Sequence, residues 1–323
     1  MDRRAFAAGT FALFVAAVAA VAQPAMPTIG FVRSSSIEAV PHMVAAFRQG
    51  LKDMGYVEGQ NVVIEFRSAD DHYDKLPAIV AELLRRRVAV LVANSTAARL
   101  AKATTTVVPI VFATGGDPVR DNLVASFNRP GGNVTGVSFL GSDLGAKKLE
   151  VLRELVPKAR IIGVLENPNS PVTRTERMDV QTAARAVGQR VIVLKASTEQ
   201  DFATVFATLV RERAGALLVT GDALFTSRQE RLVALAAEHR LPTIHTERTF
   251  VEAGGLISYG ASITDAYRQV GVYTGRILKG EKPADLPVVQ ASKFDLAINR
   301  KTAKALGLTI PQSVLLRADE VIQ

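Results

Sequence analysis

Small polar residues come directly after six apolar runs of this sequence, where a strand would end and a helix would begin. Free backbone N–H groups and hydroxyls at helix starts bind a carboxylate or another anion, and a carboxylate side chain binds an ammonium group. The pattern predicts a site for a small charged solute, with a tyrosine at one strand end as a ring for stacking. The candidate ligand-binding residues are Ser35, Ser36, Asn94, Ser95, Thr96, Thr114, Gly116, Asp117, Pro118, Asn167, Asn169, Ser170, Asp222, Thr246 and Tyr259.

Each of these residues also has a purely structural interpretation. Ser, Thr, Asn and Asp cap helices, Gly and Pro form turns, and Tyr259 could equally pack in a core or hinge. Recurrence at equivalent strand ends in both halves favours binding, because a cleft between two lobes needs polar groups on both walls. Asp117 and Asp222 could then accept from an ammonium group while helix starts bind a carboxylate, as the zwitterion of an amino acid would require.

Catalytic and metal-binding motifs are not recognisable in the sequence. The run 136–140 lacks the final Gly of a nucleophile elbow, and the glycine-rich run 131–136 has no following Lys to hold a phosphate. With no Cys and four His without paired spacing, we expect no metal, no cofactor and no enzyme. An exported hydrolase is therefore the less favoured hypothesis. His245, at a predicted strand end, either contacts ligand or packs.

Apolar runs and helix-period segments alternate along the chain, which is typical of a parallel sheet covered on both faces. Ser197-x-x-Gln200 and Ser227-x-x-Glu230 read as capping boxes at two helix starts. The predicted strands are 28–32, 62–66, 88–93, 110–112, 134–139, 161–165, 191–194, 216–219 and 243–244, and the predicted helices are 40–54, 76–87, 97–104, 173–187, 198–211, 227–239, 263–279 and 300–306.

Two successive βα series predict an α/β fold of two Rossmann-like, doubly wound lobes joined by a multi-strand hinge. Glycine-rich breaks near 136 and at 254–260 mark predicted crossings. We expect the first lobe to comprise 27–137 plus about 260–282, and the second 138–259 plus about 283–323.

Residues 1–22 have the pattern of a cleaved signal peptide. Charged residues at 2–4 precede an uncharged run at 5–22, which ends in small residues. Arg3-Arg4-Ala5-Phe6 is similar to the core of a twin-arginine signal, so both the Sec and the twin-arginine routes stay open. A retained anchor is the alternative. We expect a soluble periplasmic protein, without the cysteine that a lipid anchor requires.

Net charge alone does not indicate nucleic-acid binding. The formal charge is +8, but cationic residues are interleaved with acids, and aromatic residues make up only 6%. The nucleic-acid class is therefore excluded.

Several sequence segments are more specific than the alternation of strands and helices in a generic α/β protein. One is Arg129-Pro130-Gly131-Gly132-Asn133-Val134-Thr135-Gly136, and the others lie at 47–51, 55–61, 117–119, 250–260, 277–287 and 299–311. Together they resemble the substrate-binding proteins of ABC transporters, in the family that includes tryptophan- and tyrosine-binding members.

This resemblance implies a type I periplasmic-binding-protein fold that closes on one small molecule, an amino acid or related small carboxylate, aromatic ones included. It implies a partner permease with membrane subunits and a separate ATPase. We expect the chain itself to be a monomer. By position, the ligand-binding role carries over to Ser35, Ser36, Asn94, Ser95, Thr96, Asp117, Asn167, Asp222 and Tyr259. A sensory module that presents ligand to a chemoreceptor or kinase is the alternative function.

Overall fold

A computed structural model describes residues 26–139, 144–291 and 294–323 of the chain, so the predicted signal peptide lies outside the described residues. The strands are β1 (Thr28–Arg33), β2 (Val63–Ser68), β3 (Val90–Asn94), β4 (Ile110–Thr114), β5 (Val134–Ser138), β6 (Ile161–Glu166), β7 (Arg190–Lys195), β8 (Ala216–Val219), β9 (Thr243–His245), β10 (Ile257–Ala261), β11 (Val289–Gln290), β12 (Phe294–Asn299) and β13 (Glu320–Ile322). The helices are α1 (Pro41–Asp53), α2 (Leu76–Arg85), α3 (Ser95–Thr104), α4 (Gly145–Leu155), α5 (Pro171–Ala186), α6 (Asp201–Arg211), α7 (Ala223–Ser227), α8 (Gln229–Glu238), α9 (Thr249–Glu252), α10 (Ile263–Leu278), α11 (Arg300–Ala305) and α12 (Gln312–Leu315).

The first lobe is built on a six-stranded sheet in the order β11-β5-β4-β3-β1-β2, in which all pairs are parallel. Its central strands are buried along nearly their whole length, which accounts for their continuous Val and Ile runs. Helices α1 and α10 cover one face and α2 and α3 the other, so that a hydrophobic core lies on each side.

The second lobe is built on a seven-stranded sheet in the order β13-β12-β10-β9-β8-β6-β7. The pair β10–β12 is antiparallel and the other pairs are parallel. Helices α4, α5, α11 and α12 contribute to the core on one face, and α6, α7 and α8 to the core on the other.

The two sheets repeat one strand order. In the first it runs β2-β1-β3-β4-β5, and in the second β7-β6-β8-β9-β10. The order reverses between β1 and β3 and again between β6 and β8, and ligands of open α/β sheets bind outside the carboxyl ends of the strands at such points. The predicted fold of two doubly wound lobes is confirmed.

The chain crosses between the lobes at positions that differ in part from the sequence-based expectation. The second lobe was expected to resume near residue 283, but β11 pairs with β5, and the amide of Val288 donates to Phe127 O in the first lobe at 2.7 Å. The return therefore follows Gln290. The first crossing, expected after residue 137, follows β5, whose last residue Ser138 pairs with Thr114.

The two predicted capping boxes are wrong. Helix α6 begins at Asp201, whose carboxylate accepts from the amides of Ser197 and Thr198 at 2.8 and 2.9 Å. Ser227 lies in the last turn of α7 and donates to Leu224 O. Asp201 and Ser227 each hydrogen-bond the nearby backbone, but not in the arrangement of a capping box.

Helices α1 and α10 approach closely at two glycines. A Cβ atom on Gly50 would lie 1.9 Å from Arg268 O, and one on Gly271 would lie 2.2 Å from Phe47 O. Glycine is thus required at this contact. The close contact between the two helices places the first turn of α10 against the carboxyl edge of the first sheet. Ile263 and Tyr267, four residues apart, lie on one face of this helix.

Candidate functional site

A cavity lies between the carboxyl ends of the two sheets. Its volume is about 60 Å³, several times the space that one water molecule needs. Residues from both lobes line it: Arg33, Met43, Asn94, Ser95, Thr96, Ala113, Gly115, Phe139, Ile263 and Tyr267 from the first sheet and its helices, and Ser170, Val172, Gly221, Asp222, Ala223, Thr226, Thr246 and Glu247 from the second.

The first turn of α3 forms part of the wall in the first lobe. Asn94, at the end of β3, accepts from the Ser34 amide at 3.1 Å and donates to the Ser34 hydroxyl at 2.8 Å, which joins the two loops at the switch point. Ser95 and Thr96 follow as the first residues of the helix and face the cavity. The N–H groups of a helix start suit an anionic group.

Arg33 is the cation of the first-lobe wall. It ends β1, is 3% exposed, and donates to the hydroxyls of Tyr267 and Ser35. Its guanidinium carbon lies 5.7 Å from the centre of the Tyr267 ring. Among the described residues its Nε has no hydrogen-bond partner, so one buried donor remains for another acceptor.

Two carboxylates lie on the second-lobe wall. Asp222 caps α7 through Leu224 N at 3.1 Å and accepts from Asn167 Nδ2 at 2.9 Å. Glu247 accepts from the Thr226 hydroxyl at 2.7 Å, while its buried Oε2 has no partner within the described ranges. Burial raises the pKa of both carboxyls, because the charged form loses hydration.

Direct contacts join the lobes beside the cavity. Tyr73, in a 3-10 turn at 73–75 of the first lobe, lies 3.0 Å from Asn167 Nδ2. Arg228 lies 3.2 Å from the carboxylate of Asp71 across the same gap. Asp71 has a φ of 67°, a left-handed conformation that Asp adopts more readily than most residues. The lobes are therefore closed on each other.

The candidate residues from the sequence divide into three groups in the structure. Those that line the cavity are Asn94, Ser95, Thr96, Ser170, Asp222 and Thr246. Ser35, Thr114 and Asn167 do not line it but hydrogen-bond to residues that do, namely Arg33, Ser95 and Asp222. Those that lie elsewhere are Ser36, Gly116, Asp117, Pro118, Asn169 and Tyr259.

Local structure accounts for this last group. The Asp117 carboxylate accepts from the amides of Val119 and Arg120, Ser36 donates to Glu38, and Asn169 is exposed. A Cβ on Gly116 would lie 2.4 Å from Asp121 Oδ2, so this glycine serves packing. Tyr259 packs against the second-lobe core, 6.3 Å from the ring of Phe294.

Sequence reasoning missed the charged and aromatic part of the wall. Glu247 directly follows the candidate Thr246, and Arg33 lies two residues before the candidate Ser35. A charged residue at the end of a buried strand is the signal that could have identified Arg33. Tyr259 was the tyrosine that the sequence offered as a ligand contact, whereas Tyr267 lines the cavity and Tyr73 bridges the two lobes. Tyr267 shares a face with Ile263, but its placement depends on the packing of α10.

His245 packs rather than facing the cavity. Its ring stacks on Phe250 with centroids 4.1 Å apart, and Nε2 lies 2.9 Å from the Thr243 hydroxyl. Burial, together with the charge of Lys148, lowers its pKa to about 3. In the part of the chain that the structure describes, three or more His, Asp or Glu side chains nowhere come together as a metal site. No helix there combines the length and apolar character needed to cross a membrane.

Comparison with known proteins gives two relatives that bind aromatic amino acids. A tyrosine-binding protein of Clostridioides difficile is 29% identical over 264 residues, which cover 81% of this chain and 75% of that protein. A solved ABC domain of Streptococcus pneumonia in complex with L-Trp is 28% identical, covers 92% of this chain and 100% of its own, and has a TM-score of 0.82.

A third relative differs in its conformation. The ligand-free, open structure of a substrate binding protein with adhesive properties from Clostridium difficile is 25% identical and covers 92% of this chain and 100% of its own. Its TM-score is only 0.61, at similar identity and coverage. The arrangement of lobes described here is thus nearer to that of the L-Trp complex.

The fold is the type I periplasmic-binding-protein fold. Residues 29–322 match the family model described as ABC transporter substrate binding protein, whose role is binding and not catalysis, as the sequence predicted. The chain belongs to the ABC transporter substrate-binding protein family.

Proposed function

We propose that this protein is a periplasmic receptor of an ABC importer, which captures an amino acid or a related small carboxylate between its lobes and delivers it to a membrane permease. Aromatic amino acids are the first candidates, because the relatives include a tyrosine-binding protein and a complex with L-Trp. The family assignment favours transport over the sensory alternative.

One observation carries the ligand class. Opposite walls of the cavity hold an arginine and a glutamate, and each has one buried polar atom, Arg33 Nε and Glu247 Oε2, without a partner among the described residues. Leaving both unpaired is unfavourable. An α-amino acid offers a carboxylate to Arg33 and the start of α3, and an ammonium group to Glu247.

The remainder of the cavity suits an apolar side chain. Met43, Phe139 and Ile263 face it from the first lobe and Val172 from the second. Apolar side chains therefore share the lining with fixed polar groups, as in other small-molecule sites.

Capture by closure follows from contacts in both lobes. A ligand shifts the equilibrium between open and closed forms only as far as it binds the closed form better, and a zwitterion held by Arg33 and Glu247 does so. The closed form would then be the one that the permease recognises. Export is supported by the signal-like residues 1–22 and is testable by N-terminal sequencing of protein from a periplasmic extract.

The test of the ligand class uses L-tryptophan, L-tyrosine, tryptamine and indole-3-propionate. The chain has no Trp, so binding of the indole ligands can be followed by their own emission, and L-tyrosine by calorimetry. We expect saturable binding of at least one amino acid and weaker binding of both analogues, each of which lacks one charge. Equal affinity for the analogues would contradict the zwitterion interpretation, and absence of binding by all four would remove the aromatic candidates.

The transport role needs a cellular measurement. Deletion of the gene should reduce uptake of the radiolabelled ligand. At ligand concentrations near the wild-type Kd, uptake should return in full with the intact gene and only in part with a Glu247→Gln variant. Unchanged uptake after deletion would contradict the receptor role.

A further inference from the structure

Two buried residues behind the second-lobe wall form an ion pair. Lys148 on α4 and Glu176 on α5 are both completely buried, and Lys148 Nζ contacts Glu176 Oε1. Neither residue lines the cavity.

The pair connects the ends of two neighbouring strands. Lys148 Nζ donates to Val219 O at 3.2 Å, at the end of β8, and to the Thr246 hydroxyl at 2.7 Å, just after β9. The carboxylate of Glu176 is the third polar group that the ammonium group contacts. Glu176 Oε2 in turn accepts from Gly221 N at 2.8 Å.

Lys148 and Glu176 hydrogen-bond to the residues that directly precede the two acidic residues of the cavity wall. Gly221 comes directly before Asp222, and Thr246 directly before Glu247, so both loops are held from behind through their neighbouring residues. Helices α4 and α5 can approach this closely because of Gly145, where a Cβ would lie 2.8 Å from Glu176 O.

Stability alone is a poor explanation of such a pair. Two charges lose their hydration on burial, and apolar residues of similar volume commonly give an equally stable or a more stable core. A buried ion pair whose two members also hydrogen-bond the neighbouring loops does, however, fix the positions of those partners.

We propose that Lys148 and Glu176 are positioning residues, which hold the loops after β8 and β9 so that Asp222 and Glu247 present their carboxylates to the cavity. The pair thereby sets ligand affinity without touching the ligand. The effect on affinity rests on the proposed function, while the effect on the loops does not.

The first test follows amide hydrogen exchange in the ligand-free protein. In a Lys148→Met/Glu176→Met variant we expect peptides that cover 219–223 and 245–248 to exchange about tenfold faster, while β3 and β4 in the first lobe keep their protection. The matched control is Lys147→Met/Glu150→Met, which removes an exposed pair from the same helix. Unchanged exchange of both peptides would overturn the proposal.

A second variant covers the case in which the double variant does not fold. Thr246→Val removes the hydroxyl that Lys148 binds and keeps the branched shape, whereas Thr246→Ser keeps the hydroxyl. Faster exchange at 245–248 is expected for the Val variant only, and equal exchange in the two would overturn the proposal.

The last measurement concerns affinity. With L-tryptophan as the probe, the Lys148→Met/Glu176→Met variant should show a Kd about tenfold higher than the wild type, and the control variant an unchanged one. Faster loop exchange with unchanged Kd would also overturn the proposal. If the wild type binds neither L-tryptophan nor L-tyrosine, the aromatic ligand class fails, and the exchange result still decides whether the pair positions the loops.

Discussion

The hydroxyl of Tyr73 in the first lobe lies 3.0 Å from Nδ2 of Asn167 in the second, and 3.5 Å from Oδ1 of Asp222. This contact crosses the cleft without any ligand atom. Part of the free energy of closure is therefore supplied by the protein itself, and the ligand needs to supply only the remainder.

Removal of this contact should weaken binding. A Tyr73→Phe variant is expected to bind L-tryptophan about fivefold more weakly, because a hydrogen bond contributes about 1 kcal/mol. The control is Tyr273→Phe, whose hydroxyl donates to Pro287 O at 2.6 Å within the first lobe. It should lower stability and leave Kd unchanged, and a Tyr73→Phe variant with wild-type Kd would contradict the expectation.

The distance between the lobes gives a direct measure of closure. The chain has no cysteine, so spin labels on Val107→Cys and Val210→Cys, at exposed positions of the two lobes, attach nowhere else. We expect the Tyr73→Phe change to increase the fraction of long distances in ligand-free protein. Identical distance distributions would show that the hydroxyl does not stabilise the closed form.

Asp71 should make stability depend on pH. Burial raises the pKa of its carboxyl from 3.8 to about 6, with Asp222 and Asp70 acting in the same direction and Arg228 and His72 in the other. The folded protein therefore binds this proton more tightly than the unfolded chain. The stabilisation is complete below pH 3.8 and is lost as pH rises through about 6.

The check compares wild type with Asp71→Asn by thermal unfolding at saturating L-tryptophan. The wild-type Tm minus the variant Tm should rise as pH falls from about 7 to about 4. Asp74→Asn, at an exposed position in the 3-10 turn at 73–75, is the control. A difference in Tm between the wild type and Asp71→Asn that does not change with pH would contradict this account.

Glu247 should be needed for the ammonium group of the ligand. A Glu247→Gln variant is expected to bind L-tryptophan at least about tenfold more weakly, because a hydrogen bond to a charged group contributes about 1.5–3 kcal/mol. Its affinity for indole-3-propionate should change little. Glu252→Gln, at the exposed end of α9, is the control. Equal losses for both ligands would point to a general effect on the cavity.

The same residue predicts a pH profile for binding. Burial raises the pKa of the Glu247 carboxyl, and only its ionised form attracts an ammonium group. Affinity of the wild type should fall as pH is lowered through that raised pKa, and the Gln variant should lack this fall. Calorimetry at a series of pH values separates the two results.

Gly50 should not tolerate alanine. In an open helix position, Gly→Ala stabilises by about 1 kcal/mol. Here the new Cβ would lie 1.9 Å from Arg268 O, a backbone atom, so α1 and α10 must separate. We expect a loss of about 3 kcal/mol in the free energy of unfolding, measured by urea titration. Gln49→Ala on the exposed side of α1 is the control, and a Gly50→Ala variant as stable as wild type would show that the helices separate freely.

Strands and the lobe topology could be predicted because buried parallel strands require continuous apolar runs. The run that forms β4 is buried at every position, as expected for a strand covered by helices on both faces. The two residues of β11 are too few to carry a pattern, so its place in the first sheet depends on long-range contacts such as that of Thr135 with Leu286 O. The second lobe was for that reason expected to resume too early.

The cavity wall could be predicted where a residue lies in the loop or helix start that follows its strand. Ser95 directly follows β3, Asp222 is the third residue after β8, and both line the cavity. Asp117 has the same sequence context, yet local amides use its carboxylate. Tyr267 reaches the wall from a helix whose position is set by Gly50 and Gly271, and such tertiary packing has no local sequence signal.

The helix α10 also affects how the chain assembles. Arg268 of this helix pairs with Asp53 of α1 at 2.9 Å, across 215 positions of sequence, and between them lies most of the second lobe. The ribosome must therefore synthesise most of the polypeptide before α10 can cover the hydrophobic core between α1 and the first sheet. Early synthesis therefore leaves the apolar face of α1 uncovered, and closing so long a loop delays its burial.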